Sequence, residues 1–150
     1  MKYYTITIVA TLAMSACKAP IISLETEEVY KTAKFGFTQA NMVDGFLFTS
    51  GQVGWNASYK LTGEKSFKDQ LEQTFINLEN ILDKGGTSFD KVVLLRFYVK
   101  DMNDSKRDAI GLIMKTYFPN KYKPNSTLIG VAELARKDLL VEIELIAKIK

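Results

Sequence analysis

The sequence predicts an α+β domain in which one sheet is covered on a single face by two helices, and three observations lead there. Strand-like runs alternate with two stretches of helical periodicity in the order β-β-α-β-α-β-β. Each helical stretch carries one apolar stripe, as a helix lying on a sheet requires. The last strand presents Leu139, Val141, Ile143, Leu145, Ala147 and Ile149 along one side, an unbroken apolar face for those helices to cover.

The elements follow in order. Phe37 to Asn41 and Phe46 to Val53 are short apolar runs joined through Val43-Asp44-Gly45, and Asp-Gly between such runs is a strong hairpin signal. A loop through Asn56 and Gly63 leads to Ser66, a good N-cap. From there Phe67, Leu71, Phe75, Leu78 and Leu82 recur at helical spacing, with Asp69, Glu72 and Glu79 off the stripe, until Gly85-Gly86 stops the helix. Residues 91–100 are rich in β-branched and aromatic side chains. Val93, Leu95, Phe97 and Val99 are expected to point one way, and Val92, Leu94, Arg96 and Tyr98 the other. Asp101 to Asp104 forms a turn and N-cap for a second helix, striped by Ile110, Ile113 or Met114, and Tyr117, with Pro119 past its end. Gly111 inside that helix costs about 1 kcal/mol against alanine, so a close neighbour is expected there. Thr127–Val131 and Leu139–Ile149 complete the strands. Beside Arg96, Glu142 and Glu144, the second sheet face carries Leu94, Tyr98, Leu140 and Ile146. Such a mixed face suits an oligomer interface with polar groups embedded in it.

Composition closes much of enzymology. The 150 residues make one domain, and 47% hydrophobic with 25% charged residues is enough for a real core. With no histidine there is no Ser-His-Asp triad and no HExxH zinc site; one cysteine makes neither an internal disulfide nor a Cys-rich metal site. Chemistry must use carboxylates, Lys, Arg, hydroxyls, backbone dipoles or a bound cofactor. No metal or nucleotide motif is present, so no cofactor is implied. The net charge of +3 is dispersed and gives no basic patch for nucleic acid.

Residues 1–16 read as a signal peptide: Lys2, then an apolar stretch from Tyr3 to Ala13 too short to span a bilayer, then small Ser15 and Ala16. Met14-Ser15-Ala16-Cys17 resembles a bacterial lipobox, in which Cys17 would carry the lipid and make the only membrane contact. A cell-envelope location follows, lipid-anchored or secreted. Residues 17–32 look like a tether or lead-in, and 33–150 like the folded domain.

Phe37-Thr38-Gln39-Ala40, Ser50-Gly51-Gln52-Val53, the helix ending Gly85-Gly86, Val92-Val93 with Val99-Lys100-Asp101, and Val141-Glu142-Ile143-Glu144 together resemble the RidA/YjgF family over about residues 33–149. The resemblance implies a chorismate-mutase-like two-layer sandwich, a homotrimer with a small-molecule cleft at each subunit interface, and cofactor-free hydrolysis of enamines or imines to keto acids and ammonia. It makes Glu142 the residue that positions the hydrolytic water and Gly51 a backbone lining of the cleft. Family members clamp a substrate carboxylate with a bidentate arginine; here Asn125 stands in that place, Thr127 replaces the family's cysteine, Gly111 its helix asparagine and Phe37 its tyrosine. Each position also has a structural alternative. Glu142 could be an interface residue, and Ser126 and Thr127 loop and strand-start residues. Arg96 could pair with a carboxylate or, like Arg136, replace the clamp. Trp55 could wall the cleft or simply pack. Two functions remain open: a divergent imine or enamine hydrolase, and a non-catalytic trimer that binds a small ligand or a protein.

Overall fold

The computed structural model describes residues 19–149, which form a seven-stranded mixed sheet with two helices against one face. The strands are β1 (Ile22–Leu24), β2 (Ala40–Val43), β3 (Phe46–Thr49), β4 (Gln52–Val53), β5 (Val92–Lys100), β6 (Asn125–Val131) and β7 (Val141–Lys148). The helices are α1 (Phe67–Lys84) and α2 (Asp104–Tyr117). The sheet runs β1-β2-β3-β7-β5-β6, with β4 also on β7. All pairings are antiparallel except β5–β6, the parallel pair that α2 connects. The α+β sandwich expected from the sequence is the fold observed.

Local chemistry explains most elements. Asp44 and Gly45 both take positive φ (50° and 79°), the requirement of a tight turn whose twist matches the strands it joins. Ser66 caps α1 by accepting from the Asp69 amide at 3.3 Å, and Asn103 caps α2 by accepting from the Lys106 amide at 3.0 Å. On α1, Leu71, Phe75, Leu78, Ile81 and Leu82 are buried against Leu95, Phe97, Val99, Ile143 and Leu145 of the sheet.

Four details depart from the sequence expectation. The run Phe46–Val53 is not one strand. Phe46–Thr49 and Gln52–Val53 pair with β7 in registers that differ by one residue, so Ser50-Gly51 forms a break facing β7. Second, Phe37 lies outside β2, which begins only at Ala40. A register shift between Val92 and Leu94 also reverses the parity at the start of β5: Val92, not Val93, is fully buried, after which Leu95, Phe97 and Val99 point inward as expected. Finally, the lead-in is part of the fold from Ile22. β1 pairs with β2, and Leu24, Val29, Tyr30 and Thr32 are buried. Gln39 explains why, since its buried amide donates to the carbonyls of Thr26, Val29 and Tyr30 and its oxygen accepts from the Thr26 amide at 2.7 Å. Residues 1–16 and Cys17 lie outside the described residues.

Candidate functional site

The break between β3 and β4 is where side-chain chemistry meets open backbone. At its start the Thr49 hydroxyl accepts from the Leu145 amide at 2.9 Å, replacing the ladder bond that the shift removes. Gly51 follows, and the side chain of Glu142, whose partner across the sheet is Val53, reaches back to it. A Cβ on Gly51 would stand 1.9 Å from Glu142 Oε1, so only glycine lets that carboxyl lie against the backbone here. Burial, with help from the nearby charge of Glu144, raises the Glu142 pKa above the usual carboxylate value.

On the far side of Gly51 stands Tyr30, whose hydroxyl donates to the Gly51 carbonyl at 3.5 Å. Burial raises the Tyr30 pKa well above that of a free phenol, and the proximity of Glu142 adds to it. The Tyr30 ring meets Trp55 edge-on at 5.2 Å between centroids. Nothing in the local pattern of the lead-in marks Tyr30, because its burial depends on Gln39 holding residues 26–30 against the sheet.

Helix α1 holds the end of β4 in place. Asn77, fully buried, donates to the carbonyls of Val53 (3.0 Å) and Trp55 (2.8 Å). Gln70 donates to the Asp138 carbonyl at 3.0 Å and accepts from the Leu140 amide at 2.9 Å, which fixes the entry to β7. Both sit beside an apolar stripe, where helical periodicity gives no sign of their role.

Alternation along the strands places Glu142 and Glu144 of β7, Leu94, Arg96 and Tyr98 of β5, and Asn125, Thr127 and Ile129 of β6 on the face away from the helices. Arg96 Nη1 donates to Glu144 Oε1 at 2.8 Å, and the Tyr98 hydroxyl donates to the same oxygen at 3.2 Å. Arg96 is therefore paired with a carboxylate within the chain, the first of the two roles open to it. Its pKa rises because of Glu144.

The other candidates fall in different places. Asn125 lies across from Leu94 and Ile146, hence four residues along β7 and two strands across from Glu142, offsets of about 13 Å and about 10 Å. Thr127 is nearer, in the row of Arg96 and Glu144, and exposed. One chain does not bring Asn125 and Glu142 together. Gly111 is exposed on α2, and a Cβ there would meet nothing within 4 Å, so the close neighbour expected of it is not found among the described residues. Phe37 is half exposed, stacks on Phe35, and lines an open depression of about 700 Å³ with Ser23, Asn41 and Ser50, next to Gly51. Arg136 is bonded to Asp138 through Nε (3.0 Å) and Nη2 (2.9 Å), with its guanidinium 5.6 Å from the Trp55 ring centre.

Comparison with known proteins gives a consistent result. The family described as endoribonuclease L-PSP matches residues 29–149. A RutC family protein of Synechocystis is 35% identical over 112 residues, covering 74% of this chain and 84% of its own. A 2-iminobutanoate/2-iminopropanoate deaminase of Dermatophagoides farinae is 32% identical over 114 residues, 76% of this chain and 86% of its own. Among solved structures, YyfA of Yersinia pestis, a member of the conserved Rid protein family, superposes with a TM-score of 0.78 at 27% identity over 87% of this chain and all of its own.

Proposed function

Because the chain belongs to the endoribonuclease L-PSP family, the RidA/YjgF family of the resemblance, and is similar to an imine deaminase, we propose that it hydrolyses a small imine or enamine where Glu142 meets Gly51. The observation that carries this is the carboxyl set against a glycine that exists to admit it. Water adds to the C=N carbon and passes a proton to the Glu142 carboxylate while the nitrogen gains one. The carbinolamine then expels ammonia and leaves a carbonyl. A carboxyl whose pKa is raised by burial holds a proton closer to neutral pH, as both halves of that exchange need.

Charge selects the substrate. Glu142 and Glu144 share this face with Arg96, Lys100 and Lys148, charges dispersed along two strands with Arg96 tied to Glu144, and not the concentrated basic patch that an RNA backbone needs. Asn125 stands where the family resemblance puts the arginine clamp. Losing charge-assisted bonds of about 1.5–3 kcal/mol each makes a 2-imino acid a poor substrate and leaves neutral imines as good ones. Ammonia release from freshly generated neutral imines and 2-imino acids tests this. Turnover of neutral imines that disappears in Glu142→Gln is expected, and no turnover of either class by the folded protein would sink it.

The cleft is completed by a neighbouring subunit in a homotrimer. Support comes from the distance between Asn125 and Glu142 within one chain and from the exposed Phe46, Phe48 and Ile129 on the sheet face. A monomer by light scattering would count against it. Asn125 also favours a second function, a trimer that binds a small ligand or a protein without turning it over; this stands if binding is found and hydrolysis is not. Export on a lipidated Cys17 rests on the sequence of residues 1–17 alone. A membrane-bound form with a diacylated Cys17, released by Cys17→Ser, is the expected result of mass spectrometry.

A further inference from the structure

We propose a second binding site, for a small zwitterion with an aromatic or branched apolar group, of the α-amino-acid class, in the pocket between the 3-10 turn at Ala33–Phe35 and the loop after β4. The pocket holds about 500 Å³, within the range of small-ligand sites. Its walls are the rings of Phe35, Trp55 and Tyr59, which meet one another at 6.3–6.5 Å between centroids of the adjacent pairs.

Two observations distinguish it from a surface dent. Tyr59 is a bulky residue at φ 60°, a strained left-handed conformation, and its hydroxyl is tied to the Lys31 carbonyl. Strain of this kind persists where surrounding contacts impose it, commonly at ligand clamps. Charge is the second. Of the four charged side chains lining the pocket, Arg136 and Asp138 neutralise each other through two hydrogen bonds. Lys34 and Glu64 make no salt bridge among the described residues. Lys34 Nζ instead rests 3.7 Å from the centre of the Tyr59 ring, a weak partner that a carboxylate outcompetes. One free cation and one free anion around aromatic walls match a ligand that carries both signs and a flat or branched apolar side. This site does not depend on the hydrolytic function at Glu142.

Trp55, the chain's single tryptophan, lines this pocket and also touches Tyr30 beside Gly51, so its fluorescence reports a ligand and the Lys34 and Glu64 variants assign it to this pocket. Phenylalanine titrated into the purified protein should change that fluorescence saturably, with calorimetry as the parallel measurement. Lys34→Met, a change at an exposed side chain, should weaken binding by about tenfold or more, as should replacing the ligand by 3-phenylpropanoate or 2-phenylethylamine. In Glu64→Gln, phenylalanine and 3-phenylpropanoate should bind alike. Either single-charge analogue binding wild type as tightly as phenylalanine, both variants binding like wild type, or neither heat nor fluorescence change at millimolar ligand would each overturn the proposal.

Discussion

At the scale of single residues, the carboxyl of Glu142 and the missing side chain of Gly51 are two halves of one feature. Gly51→Ala puts a Cβ into the space of Oε1, but that is the far end of a flexible side chain, so the fold should survive while the carboxyl moves. A displacement of this size in a positioned group can cost about a hundredfold in rate. We expect imine hydrolysis to fall by about that factor with little change in melting temperature. The pH behaviour of Glu142 has a definite sign. Its pKa in the fold is raised above the ordinary 4.5, so the folded state holds the proton more tightly, and stability is lost as pH rises through the folded value. Glu142→Gln should therefore melt higher than wild type near neutral pH, with the difference closing as pH falls below the ordinary glutamate range. Thermal melts across that range measure it. Glu142 and Gly51 were legible in the sequence because alternation and motif each pointed to them. Tyr30 was not, because what buries it is a long-range bond from Gln39 rather than any pattern of its own.

Among the elements, the hairpin, both helices and the inward face of β7 follow from periodicity and capping, since each is decided by neighbours a few residues away. The breaks are not so decided. The shift at Val92–Leu94 and the split of β3 from β4 fall where a strand's second partner begins or ends, β6 joining β5 from Leu94 and β2 leaving at Thr49, and local sequence carries no record of that partner. Asn77 shows the cost of holding such a break. Its amide supplies the carbonyls of both Val53 and Trp55 in a buried setting. Asn77→Ala leaves them without that donor and should destabilise by about 2 kcal/mol, read from chemical denaturation. Because it also frees the end of β4, hydrolysis should weaken with it.

For the whole molecule, the folded unit begins earlier than the family resemblance alone suggests. Removing everything before Ala33 deletes β1 and the buried Leu24, Val29 and Tyr30. Burial of one large apolar side chain contributes about 1.5–3 kcal/mol, so the loss of three is comparable with a domain's entire stability. A chain starting at Ala33 should fail to melt cooperatively by circular dichroism, whereas one starting at Ala19 should melt as a unit.

The position of β7 has a consequence for the order in which the protein comes into being. It joins β3 and β4 on one side to β5 on the other, yet it follows all of them in the chain. While a ribosome is still extending the polypeptide, the strands already made have no common partner, and the sheet cannot close until residues 141–148 emerge. Nascent chains therefore lack a closed sheet until synthesis has passed β7, and the last strand made is the one that completes the fold.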